Sequence, residues 1–141
     1  EAYLAGARQS RARAVELGPD DSTAWYAYGQ ILDIGGKREQ AIAAYKRSLQ
    51  LVPPHPKAAG KLGKALVDAE QWDEAEVLLT AAARSDPNNP ATYFYLGVIY
   101  AHAKKYKLAI EMYERFLEVA PEGDPDRGKA KKSIGDLKRK L

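Results

Sequence analysis

The chain has 141 residues, of which 45% are hydrophobic and 29% charged, the balance of a folded domain and not of a disordered segment. It has no cysteine, which excludes disulfides and thiol chemistry. No apolar run approaches the roughly 20 residues a bilayer-crossing helix needs; the nearest, Tyr93 to Ala103, is short and carries His102. The net charge of +3 is uneven, because Asp124 to Leu141 holds seven basic and three acidic residues while the remainder nets −1. The basic character belongs to one end of the chain. Glu1 heads the sequence and no signal-peptide pattern follows, which reads as part of a longer or processed protein.

Apolar residues recur three and four apart throughout, so the spacing predicts an all-α chain. In chain order the expected helices span about 2–17, 22–35, 38–51, 56–69, 72–85, 90–103, 106–119 and 124–140. The sequence also registers on itself at a shift of 34 residues. Gly29, Gly63 and Gly97 form one column. Ala7, Ala41, Ala75 and Ala109 form a second, and Pro19, Pro53, Pro87 and Pro121 a third. Tyr28, Leu62 and Leu96 precede the glycines, and Leu32, Leu66 and Tyr100 follow three residues later. Tyr45, Leu79 and Tyr113, then Ser48, Ala82 and Phe116, complete the pattern.

Each column has a physical role. A helical glycine costs about 1 kcal/mol relative to alanine, so close approach of a second helix must offset it. Ala41, Ala75 and Ala109 are the expected small residues of that second helix. The prolines end each second helix, since the residue before proline avoids the α region. Asn89 is the expected N-cap of the helix that Pro90 opens, and Asp124-Pro125 repeats the start signal. Helices of about 14 residues are marginal alone and persist by burying their apolar faces on their neighbours.

These residues resemble the tetratricopeptide repeats, a family with a 34-residue period and a W-x2-L-G…A…F/Y…P signature. Trp25, Tyr28, Gly29, Ala41, Tyr45 and Pro53 carry the match in the first full unit. Leu62, Gly63, Ala75, Leu79 and Pro87 carry it in the second, and Tyr93, Leu96, Gly97, Ala109, Tyr113, Phe116 and Pro121 in the third. Ala59 stands where Trp25 and Tyr93 stand, and Arg11 where Tyr45 stands, so those units depart from the pattern. The resemblance implies a right-handed superhelical solenoid of antiparallel helix pairs. It would be one domain, with a half-repeat at 2–19, full repeats at 22–55, 56–89 and 90–123, and a capping helix at 124–141. Ala130, Ile134, Leu137 and Leu141 form the apolar stripe of that cap. The uncovered half-repeat offers a face for self-association.

The resemblance further implies that the first helix of each unit lines a concave groove that binds a segment of a partner protein. Its residues would be Thr23, Tyr26, Ala27, Gln30 and Asp33, then Lys57, Gly60, Lys61, Lys64 and Asp68, then Ala91, Phe94, Tyr95, Val98 and His102. Lys57, Lys61 and Lys64 are spaced four and three apart on one face, either a solvated surface or a strip for acidic groups. Tyr26, Phe94 and Tyr95 are the candidate aromatic anchors, whereas Trp25, Tyr28, Tyr93 and Leu96 are assigned to the core. Some family members clamp acidic chaperone tails through Lys, Asn, Asn, Lys and Arg; the matching positions here are Tyr26, Gln30, Lys61, Ala91 and Tyr95. That ionic clamp is missing, so the expected partner is a helix or extended segment of mixed hydrophobic and acidic character.

Catalysis finds little support. The two histidines, His55 and His102, have no metal-ligand or triad spacing. His55 reads as an exposed turn residue between two prolines. Glu70, Asp73, Glu74 and Glu76 read as carboxylates at a helix start, and Gly35-Gly36 as a break between helices, not a phosphate loop. No cofactor, metal or small-molecule substrate is expected. A second reading gives Lys129, Lys131, Lys132, Lys138, Arg139 and Lys140 to nucleic acid or an anionic surface.

Overall fold

A computed structural model of the chain describes residues 21–141, and among these every element is an α-helix. They are α1 (Ser22–Ile34), α2 (Arg38–Gln50), α3 (Ala58–Asp68), α4 (Trp72–Ser85), α5 (Pro90–His102), α6 (Tyr106–Val119) and α7 (Arg127–Lys138). The expected half-repeat over 2–19 lies outside the described residues. The tetratricopeptide-type fold class stands, with α1 paired on α2 and α5 on α6 as the 34-residue period requires. Two starts fall later than expected. α3 begins at Ala58 rather than 56. α7 begins at Arg127 because Asp124 first closes a turn, its N–H donating to the Pro121 carbonyl and its carboxylate accepting from the Asp126 N–H at 2.8 Å.

First and second helices begin differently. Asp21 caps α1 by accepting from the Thr23 and Ala24 N–H groups at 2.9 and 3.2 Å. Asn89 caps α5 by accepting from the Ala91 N–H, with Pro90 in the first turn as expected. α2, α4 and α6 have no side-chain cap. They follow turns closed by backbone bonds: the N–H groups of Lys37, Gln71 and Lys105 donate to the Leu32, Leu66 and Tyr100 carbonyls at 2.8, 2.9 and 2.9 Å. Such a closure needs one residue in the left-handed region. Gly36 (φ 76°), Glu70 (φ 59°) and Lys104 (φ 61°) supply it, one period apart. Glu70 is therefore a turn residue, which corrects its placement at a helix start; Asp73 and Glu74 do occupy the first turn of α4.

The chain divides into two compact units between Ala65 and Leu66, within α3. In the first unit α1 packs on α2. Leu32, Ala41, Ala44 and Tyr45 are buried there. The Ser48 hydroxyl, fully buried, donates to the Ser22 carbonyl at 2.8 Å and ties the end of α2 to the start of α1. In the second unit α4 packs on α5, α5 on α6 and α6 on α7. Its core is Tyr93, Ala109, Ile110, Tyr113, Phe116, Ala120, Ala130 and Leu137.

The glycine column does mark close approach, but not to the alanines. A Cβ on Gly29 would stand 2.6 Å from Cε1 of Tyr45, and one on Gly97 would stand 2.9 Å from Cε1 of Tyr113. Each glycine makes room for a tyrosine ring of the second helix. Ala41, Ala75 and Ala109 of the alanine column are fully buried nonetheless. In the capping helix Ala130 and Leu137 are buried and Ile134 packs on the core. Leu141 lies beyond the helix and is 67% exposed, so the expected stripe ends at Leu137.

Candidate partner-binding surface

In the first unit, Thr23 is exposed and Ala27 and Gln30 are half-buried on α1. Tyr26 is only 7% exposed, which corrects its reading as an open aromatic anchor. Its ring stacks on His55 at 3.9 Å and 6° and packs against Tyr45 at 5.9 Å. Burial raises its pKa. His55 is correspondingly half-buried and not the open turn residue the flanking prolines suggest. Burial, then the nearby Lys57 ammonium, lower the His55 pKa. Trp25 and Tyr28, assigned to the core by pattern, are half-buried, their rings 6.3 Å apart.

Lys57, Lys61 and Lys64 are all exposed. Lys57 sits one residue before α3, where its carbonyl accepts the Lys61 N–H at 3.2 Å. The first turn of α3 holds no acidic residue. The partial positive charge of the helix N-terminus thus reinforces the lysines instead of being balanced.

In the second unit, Tyr93 and Leu96 are buried as expected. Tyr93 donates its hydroxyl proton to the Pro87 carbonyl at 2.7 Å. Phe94 is not an open anchor. It is half-buried, edge-on to Tyr113 at 5.7 Å and Phe116 at 5.3 Å, and belongs to the core periphery. Ala91, Tyr95 and Val98 are half-buried beside it on α5. The Tyr95 phenol is pushed up to about 12, first by burial, then by the carboxylates of Asp126, Asp68 and Asp124. The charge around Tyr95 is therefore negative. His102, at the end of α5, is exposed and stacks on Trp72 at 4.0 Å and 15°. Neither histidine stack shows in the sequence, since each joins residues about thirty positions apart with no shared period.

Much of the basic end is engaged locally. Arg127 donates from Nη1 to the carbonyls of Leu117 and Ala120 at 2.8 and 3.0 Å, closing the end of α6. Arg139 pairs with Asp136, Lys129 approaches Asp126 at 3.7 Å, and Lys140 lies over the Tyr106 ring at 5.5 Å. Lys131, Lys132 and Lys138 are exposed. Among the described residues no group of three or more His, Asp or Glu side chains is placed to hold a metal. No described helix is long and apolar enough to cross a membrane.

Short helices paired through a glycine–tyrosine contact define a helical repeat of the tetratricopeptide class, the class of protein-interaction scaffolds. Within it, the chain belongs to the family of the cytochrome c-type biogenesis protein H TPR domain, whose family model matches residues 11–127. Cytochrome c-type biogenesis protein CycH of Pseudomonas aeruginosa is 28% identical over 118 residues, 82% of this chain and 29% of that protein. The protein of the same name from Rhizobium meliloti is 28% identical over 124 residues, 86% of this chain and 32% of its own length. The chain thus spans about a third of these relatives. Among solved structures, MamA matches with a TM-score of 0.84 at 22% identity, over 98% of this chain and 73% of that one. The first TPR of Spaghetti (RPAP3), bound to the HSP90 peptide SRMEEVD, matches at 0.76 and 20% identity, over 86% of this chain and 93% of that one. At such identities the structures speak for the fold alone.

Proposed function

We propose that the chain, as one tetratricopeptide domain, captures a segment of a partner protein on the first helices of its repeats, without catalysis, and does so in cytochrome c-type biogenesis. The observation that carries this reading is the exposed row of Lys57, Lys61 and Lys64 along one face of α3, with no acidic residue in the first turn to offset its leading members. Such a row suits carboxylates of a bound segment. The name of the CycH relatives supports the setting. Ala27, Gln30, Tyr95 and Val98 add half-buried surface on α1 and α5 for apolar contact. The carboxylates near Tyr95 disfavour acidic groups on α5, so the acidic part of the segment belongs with the lysine row.

Photo-cross-linking in cells tests the reading. A benzophenone amino acid at Lys61 or Val98, in first helices, should trap one and the same partner. The same group at Val77 or Glu111, exposed on second helices, should trap none. Trapping from the second helices alone overturns the assignment.

A further inference from the structure

The lysine row starts at a residue whose backbone is held by a histidine. The Lys57 N–H donates to His55 Nδ1 at 3.1 Å, and the Ala58 N–H donates to the His55 carbonyl at 3.2 Å. An acceptor three residues ahead of a helix, taking a backbone N–H in the turn that leads into it, does for that turn what Asn, Asp or Ser does at an N-cap. The imidazole is fixed in that role from behind by its parallel stack on Tyr26 of α1. The Ser22 hydroxyl anchors the same segment by donating to the Pro53 carbonyl at 2.8 Å.

Imidazole accepts a hydrogen bond only at an unprotonated nitrogen, and both nitrogens are donors once the ring is charged. We infer that His55 is a proton-sensitive latch: the neutral ring fastens Lys57 and the start of α3 to α1, and protonation at Nδ1 releases them. The inference rests on the proposed role of the lysine row, whose leading residue the latch positions. Burial, then the Lys57 ammonium, favour the neutral form of the ring. Tyr26 stacks on it, Tyr45 of α2 lies behind Tyr26, and burial raises the pKa of both phenols. Lys57 beside the ring adds a like charge, while the Asp33 carboxylate acts on Tyr45. Because the folded pKa is lowered, the latch is closed above the ordinary histidine value of about 6.5 and its contribution declines as pH falls below it.

Amide hydrogen exchange on the full chain at pH 7.5 and 5.0, corrected for intrinsic rates, tests this. Protection at Lys57 and Lys61 should fall at least about threefold on acidification. His55→Asn offers an acceptor that does not titrate and should remove the pH dependence. His55→Phe keeps the stack without the acceptor and should be open at both pH values. Equal pH dependence in wild type and His55→Asn, or flat protection in wild type, overturns the latch. Should His55→Asn not fold, the wild-type imidazole and the Lys57 amide shift must titrate with one midpoint; separate midpoints overturn it equally. A flat profile beside lysine-dependent capture sinks only the latch, and a working latch beside lysine-independent capture sinks only the proposed binding role.

Discussion

At Gly97 the neighbouring ring of Tyr113 leaves no space for a side chain, and Gly29 stands in the same relation to Tyr45. Gly97→Leu forces ring and helix apart and should cost at least about 1–3 kcal/mol, read as a lower denaturant midpoint at unchanged slope. An unchanged midpoint contradicts the contact. The tyrosines differ in what their hydroxyls do. The Tyr45 hydroxyl is buried with no partner at hydrogen-bonding distance, the Asp33 carboxylate acting on it only from further off, while that of Tyr93 donates to the Pro87 carbonyl. Tyr45→Phe should therefore be neutral or stabilising, and Tyr93→Phe should cost about 0.5–1.5 kcal/mol. Thermal melts of the two variants should move apart; equal losses contradict the assignment.

Between elements, the turns into α2, α4 and α6 share one geometry but not one residue. Gly36 enters the left-handed region freely, whereas Lys104 does so against its own Cβ. Lys104→Gly should stabilise by about 0.5–1 kcal/mol, while Gly36→Ala should destabilise by about 1–2 kcal/mol. Melting temperatures that shift the other way would contradict the turn assignment. Arg127 joins α6 to α7 by taking two carbonyls at the end of α6. Arg127→Met keeps the stem and loses both bonds, and should cost about 1.5–3 kcal/mol, with amide exchange rising first in α7. Helix existence and pairing were legible in the sequence because glycine, alanine and proline columns report backbone needs that recur with each unit. The left-handed turns were half legible: Gly35-Gly36 announces one, but Glu70 and Lys104 hide the other two behind ordinary side chains. Which aromatic faces outward was not legible. Tyr26 and Phe94 sit at pattern positions for an open face, yet His55 covers the first, and the second turns onto Tyr113 and Phe116. Those partners come from other segments, and no local spacing encodes them.

For the whole molecule, the distribution of charge separates the two ways a basic chain meets partners. The basic end spends Arg127, Arg139 and Lys140 on contacts within the chain. Lys57, Lys61 and Lys64 stand exposed along the start and middle of α3. Binding through α3 should weaken with salt, but only by the few charges involved, because a short row releases few counterions. The central claim is that a helical repeat holds its partner through that row. It is tested most directly by the affinity of the cross-linked partner segment, fluorescently labelled, for the wild-type chain and for the triple variant Lys57→Glu, Lys61→Glu, Lys64→Glu. The account predicts at least about a hundredfold weaker binding to the variant, from three reversed contacts of roughly 1 kcal/mol or more each, with unchanged helical circular dichroism. Equal affinity in a variant that is fully folded would contradict it.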